Sequence, residues 1–135
     1  MSRSGKIVVD ASVVLAVILN EPEKPGILAA TENANLISPK CLQWEIGNAF
    51  SAMIKQGRLT LELALRGIEI YDLIPIQQMG LSLLEAIVLS ERHNIYAYDA
   101  YYLQLAKRNA APILTLDRRM AAVADIEGIQ NEKIR

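Results

Sequence analysis

The sequence predicts an α/β fold, an α/β/α sandwich whose central sheet is mainly parallel and covered by helices on both faces. Three observations lead there. Ile7, Val8 and Val9 form an unbroken β-branched run of the kind found in strands buried on both faces. Short extended stretches alternate with longer segments of helical periodicity. Residues that start and stop helices fall between them.

The first strand is expected over Lys6 to Asp10, with Asp10 at its carboxyl end. Ser12 is placed to cap an apolar helix that Asn20, Glu21 and Pro22 stop, and a short helix from Pro25 to Thr31 leads to an extended Leu36-Ile37 segment. Ser38 and Pro39 read as cap and first helical residue, opening a helix with Leu42, Ile46, Ala49, Phe50 and Met53 on one face and Gly57 as its stop. Thr60 opens the next, with Leu61, Ala64, Leu65, Ile68 and Tyr71 together, before an extended Leu73 to Gln77. Ser82 to Asn94 is helical, with Leu83, Ala86, Ile87 and Leu89 or Ser90 directed inward. Asp99 stands at the N-terminal end of a helix over Ala100 to Asn109. A strand through Ile113 to Leu116 ends at Asp117, and a short helix covers Arg118 to Ala124. A final extended piece around Ile129 is left open, as is the tail over residues 125–135.

The chain has 135 residues, a length that suits one core, and its 52% hydrophobic and 21% charged residues argue against disorder. No repeat, low-complexity tract or linker divides it, so residues 1–135 read as one domain. The longest apolar run, Val13 to Leu19, is too short to cross a bilayer, and the acid at Asp10 interrupts what would be the apolar part of a leader. A cytoplasmic protein with no membrane attachment is expected. One cysteine, Cys41, and one histidine, His93, exclude an internal disulfide and a zinc site of the usual ligand count. Any metal is then held by oxygen. A net charge of −1 gives no global attraction to nucleic acid, which leaves phosphate binding to a local basic patch or to metal ions.

Asp10, Glu45, Asp99 and Asp117 each interrupt or close an apolar segment rather than lying in a solvated charged face. Carboxylates in such surroundings are costly to desolvate, and two of them about 4 Å apart repel by roughly 4 kcal/mol at an effective dielectric of 20. A divalent cation relieves both costs. Mg²⁺ and Mn²⁺ take oxygen ligands, keep several waters and are anchored by a few carboxylates together with substrate phosphate. In phosphodiester hydrolysis such ions activate the attacking water and stabilise the leaving oxygen.

The segments Ile7-Val-Val-Asp10-Ala-Ser12, Trp44-Glu45-Ile-Gly-Asn48-Ala, Tyr98-Asp99-Ala-Tyr-Tyr102-Leu and Leu114-Thr115-Leu-Asp117 together resemble the PIN-domain family, most closely its VapC-type toxins. The resemblance runs from about residue 6 to residue 128 and keeps the order and spacing of all four acids. It implies a PIN-like α/β/α sandwich, Mg²⁺- or Mn²⁺-dependent endoribonuclease activity on RNA, a small cognate antitoxin protein as inhibitor, and a homodimer. Carried over residue by residue, Asp10, Glu45, Asp99 and Asp117 match the family's catalytic, metal-binding acids. Ser12, Asn48 and Thr115 match the polar positions beside them.

Plainer roles stand beside these. Asp10 and Asp117 suit strand-end turns, Asp99 a helix cap, and Glu45 a structural ion pair. Ser12 suits a cap, and Thr115 a hydrogen bond to Asp117 or water. Asn48 is one turn from Glu45, able to orient it or a metal-bound water, or to face solvent. Arg118 and Lys40 are the candidates for RNA contact, with Lys107, Arg108 and Arg119 as further basic positions that also fit a solvated surface. Tyr98, Tyr101 and Tyr102 fit either base stacking or core and dimer contacts. His93 is expected at a helix-end surface, and Cys41 and Trp44 in packing. A receiver domain is disfavoured because Val9 rather than an acid precedes Asp10, and an Asp-x-Asp phosphatase because position 12 is serine. The remaining rival is a catalytically silent PIN-like module that binds proteins.

Overall fold

The β-branched run at the N-terminus forms β1 (Lys6–Val9), and every later strand joins the sheet that it centres. This architecture comes from a computed structural model that describes residues 5–134. Residues 1–4, where the start of a leader was considered, and residue 135, the end of the tail, lie outside the described residues. The order of elements is β1, α1 (Ala11–Ile18), α2 (Lys24–Thr31), β2 (Asn35–Ser38), α3 (Leu42–Lys55), α4 (Leu61–Leu73), β3 (Ile76–Gln78), α5 (Leu83–His93), α6 (Ala97–Asn109), β4 (Ile113–Leu114) and α7 (Arg118–Ile126). Among the described residues no helix is long and apolar enough to cross a membrane.

The four strands lie in the order β3-β2-β1-β4, all parallel, with Lys6 opposite Asn35, Ile37 opposite Gln77 and Val8 opposite Ile113. From β1 the chain passes first to β2 on one side and later to β4 on the other. The carboxyl end of β1 is therefore the point where strand order reverses, the position at which open α/β sheets bind their ligands. Alternation along β1 divides the interior into two cores. Val8, Ile37 and Ile113 pack with Leu89, Leu103, Met120 and Val123 from α5, α6 and α7. Ile7, Val9 and Leu114 pack with Val13, Leu42, Ile46, Phe50 and Ala64 from α1, α3 and α4. The α/β/α sandwich read from the sequence is present.

Several local expectations shift. Ser38 does not cap α3: it ends β2 opposite Gln78, its carbonyl accepts from the Met79 N–H at 2.9 Å, and the helix starts at Leu42 after Cys41. Pairing with β3 outweighs the local capping preference. On α4 the buried positions are Ala64 and Gly67, while Leu61 and Leu65 face outward. Gly67 sets this rotation, because a Cβ there would stand 2.8 Å from Phe50 Cζ and 3.1 Å from Ile18 Cγ2. Likewise α5 turns Ala86 and Leu89 inward and leaves Leu83 and Ile87 exposed. β4 is shorter than expected, and among the described residues the tail adds an isolated parallel bridge, Ile113 to Asn131, rather than a strand.

The core beneath α5, α6 and α7 is fastened at its edge by Glu127, which caps α7. It accepts from Lys107 Nζ at 2.7 Å and Arg92 Nη1 at 2.9 Å, and lies 2.5 Å from His93 Nε2. His93 is thus a mostly buried tie between α5 and α7, not a surface residue. The Lys107 hydrogen bond first, then that of His93, pulls the Glu127 carboxyl down to about 2 from an ordinary 4.5. A depressed acid contributes stability above its unfolded value and loses it as pH falls through its folded value. Glu127→Gln is expected to lower the melting temperature at pH 7 by about 4 °C, for a loss of about 1 kcal/mol. The difference should shrink as pH falls from 4.5 toward 2, which thermal melts of both proteins check.

Candidate active site

Each of the four acids stands at the N-terminal end of a different helix. Asp10 caps α1, accepting from the Val13 N–H at 3.2 Å, and Asp117 caps α7, accepting from the Arg119 N–H at 2.9 Å and the Met120 N–H at 3.1 Å. Glu45 and Asp99 lie in the first turns of α3 and α6. Tyr96 precedes α6 as its cap residue, so Asp99 is one turn inside the helix rather than at its boundary. Helix N-termini favour negative charge, and four of them here point carboxylates toward the carboxyl edge of the sheet.

A chain of hydrogen bonds joins these ends. Asp10 is 4% exposed, and all its oxygens are engaged: Ser12 Oγ donates to Oδ1 at 2.6 Å, and Thr115 Oγ1 donates to Oδ2 at 2.5 Å. Thr115 Oγ1 in turn accepts from the Asp117 N–H at 2.9 Å, and Ser12 Oγ accepts from the Leu116 N–H at 3.0 Å. These two hydroxyls clamp the end of β1 to the segment between β4 and α7, and so bring Asp10 beside Asp117. Ser12 does so from inside the first turn of α1, because Asp10 itself occupies the cap. Across the sheet edge, Tyr102 Oη donates to Glu45 Oε2 at 2.6 Å and ties α3 to α6. Tyr102 is three residues after Asp99, on the same helical face. Arg119 Nη2 donates to the Asn94 carbonyl at 2.6 Å, holding the start of α7 against the loop that leads into α6.

The electrostatics record how close the acids are. Burial pushes the Asp10 carboxyl above its ordinary 3.8 despite three hydrogen bonds, and the charge of Asp117 adds to the rise. Burial raises Glu45 as well, with Asp10 and Asp99 adding repulsion. Asp99 is raised by burial, then by Asp117 and Asp10, with Arg119 acting against them. Helix dipoles and hydroxyls leave a site still short of positive charge.

Among the described residues, no three His, Cys, Asp or Glu side chains close around one point as a finished metal cage. An all-oxygen donor set with unrelieved mutual repulsion suits Mg²⁺ or Mn²⁺. A hollow of about 580 Å³ lies elsewhere, between α5 and α6, lined by Arg92, Gln104, Lys107 and Arg108 and by none of the four acids. Charge coupling between the acids, not the size of a hollow, marks the candidate site.

The other named residues divide. Arg118 and Lys40 are exposed and follow β4 and β2 at the edge that carries the acids. Lys107 and Arg108 end α6, about 12 Å of helix rise from Asp99, and Lys107 is engaged by Glu127. They do not flank the acids. Asn48 lies exposed and makes no hydrogen bond to Glu45 among the described residues. Tyr102, at 1% exposure, is unavailable for stacking on bases, while Tyr98 is exposed and meets Tyr101 edge to face at 5.8 Å. Trp44 is 63% exposed rather than packed. The tie from Tyr102 to Glu45 escaped the sequence reading. Its only local signal was the spacing of Asp99 and Tyr102.

A family model described as PIN domain matches residues 7–126. The chain is similar to Ribonuclease VapC3 of Mycobacterium tuberculosis, 27% identical over 121 residues that cover 89% of this chain and 88% of that one. It is also similar to Ribonuclease VapC3 of Pyrobaculum aerophilum, 27% identical over 121 residues, covering 86% and 92%. Ribonuclease VapC9 of Mycobacterium tuberculosis is 28% identical over 115 residues, covering 85% and 88%. Among solved structures, that of PAE2754 from Pyrobaculum aerophilum superposes with a TM-score of 0.69 at 22% identity, covering 87% of this chain and 85% of that one. The last likeness speaks for the fold.

Proposed function

Because the chain belongs to the PIN-domain family, we propose that it is a Mg²⁺- or Mn²⁺-dependent endoribonuclease of the cytoplasm, the toxin half of a VapBC-like toxin–antitoxin pair. The observation that carries this reading is the set of four helix N-termini that direct Asp10, Glu45, Asp99 and Asp117 to one sheet edge, three of them with raised carboxyls. Similarity to proteins named ribonucleases supports the substrate class.

In this reading Asp10, Asp99 and Asp117, with Glu45, hold the cation. When bound, it supplies Lewis-acid activation of water and neutralisation of charge at the scissile phosphate. Ser12 and Thr115 hold the Asp10 carboxylate in place by donating to both its oxygens, which counters part of the rise that burial imposes. Arg118 and Lys40 lie at the rim, where their exposed side chains meet the RNA backbone. Asn48 faces solvent one turn from Glu45, placed to bond a water of the site rather than Glu45 itself.

The apolar surface suggests where partners sit. A groove of about 360 Å³ between α2 and α4 is lined by Val13, Val17, Ile27, Leu28, Ile70 and Leu73, with Leu73 82% exposed. It suits the apolar face of an antitoxin helix. Leu83, Leu84, Ile87 and Val88 along α5 give a second copy of the chain an apolar face to cover. Leu73→Lys is expected to abolish co-purification with the product of the neighbouring reading frame while leaving the melting temperature within about 2 °C.

The deciding experiment is incubation of structured RNA with the purified chain, with and without a chelator, followed by sequencing of the new RNA ends. Discrete ends that require Mg²⁺ or Mn²⁺ are expected. Intact RNA under all conditions, with retained binding to the antitoxin, would instead identify a silent protein-binding module.

A further inference from the structure

We propose that Tyr102 is a positioning residue for Glu45: its buried hydroxyl, helped by the Cys41 thiol, fixes Oε2 so that Oε1 is presented to a divalent cation. The inference rests on the metal-nuclease reading above and adds the residues that make one of its ligands rigid.

Two donors converge on a single oxygen. Tyr102 Oη donates to Glu45 Oε2 at 2.6 Å across 57 positions of sequence, and Cys41 Sγ, one helical turn before Glu45, donates to the same oxygen at 3.4 Å. Oε1 accepts no hydrogen bond among the described residues. A glutamate in the first turn of a helix otherwise has rotamers that carry its carboxylate to solvent, and losing that freedom costs conformational entropy. A short O–H···O⁻ bond from a side chain that is itself locked in the core offsets the cost before any cation arrives. Tyr102 is 1% exposed and lies in the same core as Leu103, Ala106 and Ile113, so its hydroxyl has one available direction.

Burial, then the bond to Glu45, drives the Tyr102 hydroxyl far above its ordinary value of 10, and burial followed by the Glu45 charge pushes the Cys41 thiol up to about 12. Cys41, at 3.4 Å, is the weaker of the two donors.

The test is Mn²⁺ titration of the purified full chain, followed by calorimetry or by the electron-spin signal of free Mn²⁺. Tyr102→Phe should weaken Mn²⁺ roughly 10- to 100-fold, lower kcat and leave KM for RNA unchanged. In a Glu45→Gln background the same substitution should have no further effect, since the ligand it positions is already lost. Equal Mn²⁺ affinity of Tyr102→Phe and wild type would overturn the inference. So would an equal weakening in both backgrounds, which is what a merely structural tyrosine gives. If Tyr102→Phe does not fold, Cys41→Ala must weaken Mn²⁺ by about threefold, and no change there overturns the shared hold on Oε2. A wild-type chain that binds no Mn²⁺ would end the metal-nuclease reading and this inference together, whereas the other contrary results end only the latter.

Discussion

Asp10→Asn is expected to reduce RNA cleavage by on the order of 10³-fold, while leaving the cation-free protein at least as stable as the wild type. The two effects have opposite signs for one reason. Asp10 is almost wholly buried, and burial raises its carboxyl even though Ser12, Thr115 and the Val13 N–H all donate to it. Without a cation its negative charge therefore works against folding, and a neutral amide removes that burden. Asparagine keeps an acceptor at Oδ1 for Ser12 and Val13. Its NH₂ group then meets Thr115 Oγ1, which has lone pairs to accept it once the hydroxyl turns. A cation ligand with full charge is lost, however, and with it several kcal/mol of transition-state stabilisation. Cleavage assays and thermal melts in chelator read the two effects separately. Activity within tenfold of wild type would remove Asp10 from the proposed machinery, and a fall in both activity and stability would point to misfolding instead.

How much of this was legible depends on the range of the interaction concerned. Asp10 and Asp117 were readable because a β-branched run followed by an acid and an apolar helix is a local pattern, and both residues do cap the helices that follow. Glu45 was readable from its apolar neighbours Leu42, Ile46 and Ala49, two of which are buried. Ser38 misled because its cap-and-proline signal is local, whereas the bond from Met79 that holds it in β2 is not. The rotation of α4 was hidden for a similar reason: Leu61 and Leu65 fit a helical stripe, but the close approach of Gly67 to Phe50 decides which face turns inward. The Thr115 bond to Asp10 spans 105 positions and the Tyr102 bond to Glu45 spans 57, and no periodicity encodes either. Thus the acids and their near neighbours Ser12 and Thr115 were legible, whereas the cap of α1, the start of α3 and the long-range bonds that join these residues were not.

The same shortage of positive charge makes cation binding depend on pH in a definite direction. Asp10, Glu45 and Asp99 all have carboxyls raised above 3.8, 4.5 and 3.8 respectively, chiefly by burial and then by neighbouring acids, Asp117 among them. For an acid raised in the folded state, the favourable contribution is complete below the unfolded value and is lost as pH rises through the folded one. Cation-free protein should therefore lose stability as pH climbs upward from the ordinary carboxylate range. Mg²⁺ or Mn²⁺ competes with those same protons, so its affinity should rise over the same interval and level off above it. At a cation concentration a hundredfold above Kd the stabilisation is about 2.7 kcal/mol, roughly 10 °C in Tm for a chain of this size. Toward the acid end of the range, where protons compete for the same oxygens, the shift should shrink. Asp10→Asn should lose most of it at every pH, and chelation should bring wild-type cleavage down by on the order of 10³-fold. Melting curves across this range, with and without Mn²⁺, test the arrangement without requiring a known RNA target. A Mn²⁺ shift that stays constant with pH, or survives in Asp10→Asn, would mean that the ion binds somewhere other than these four acids.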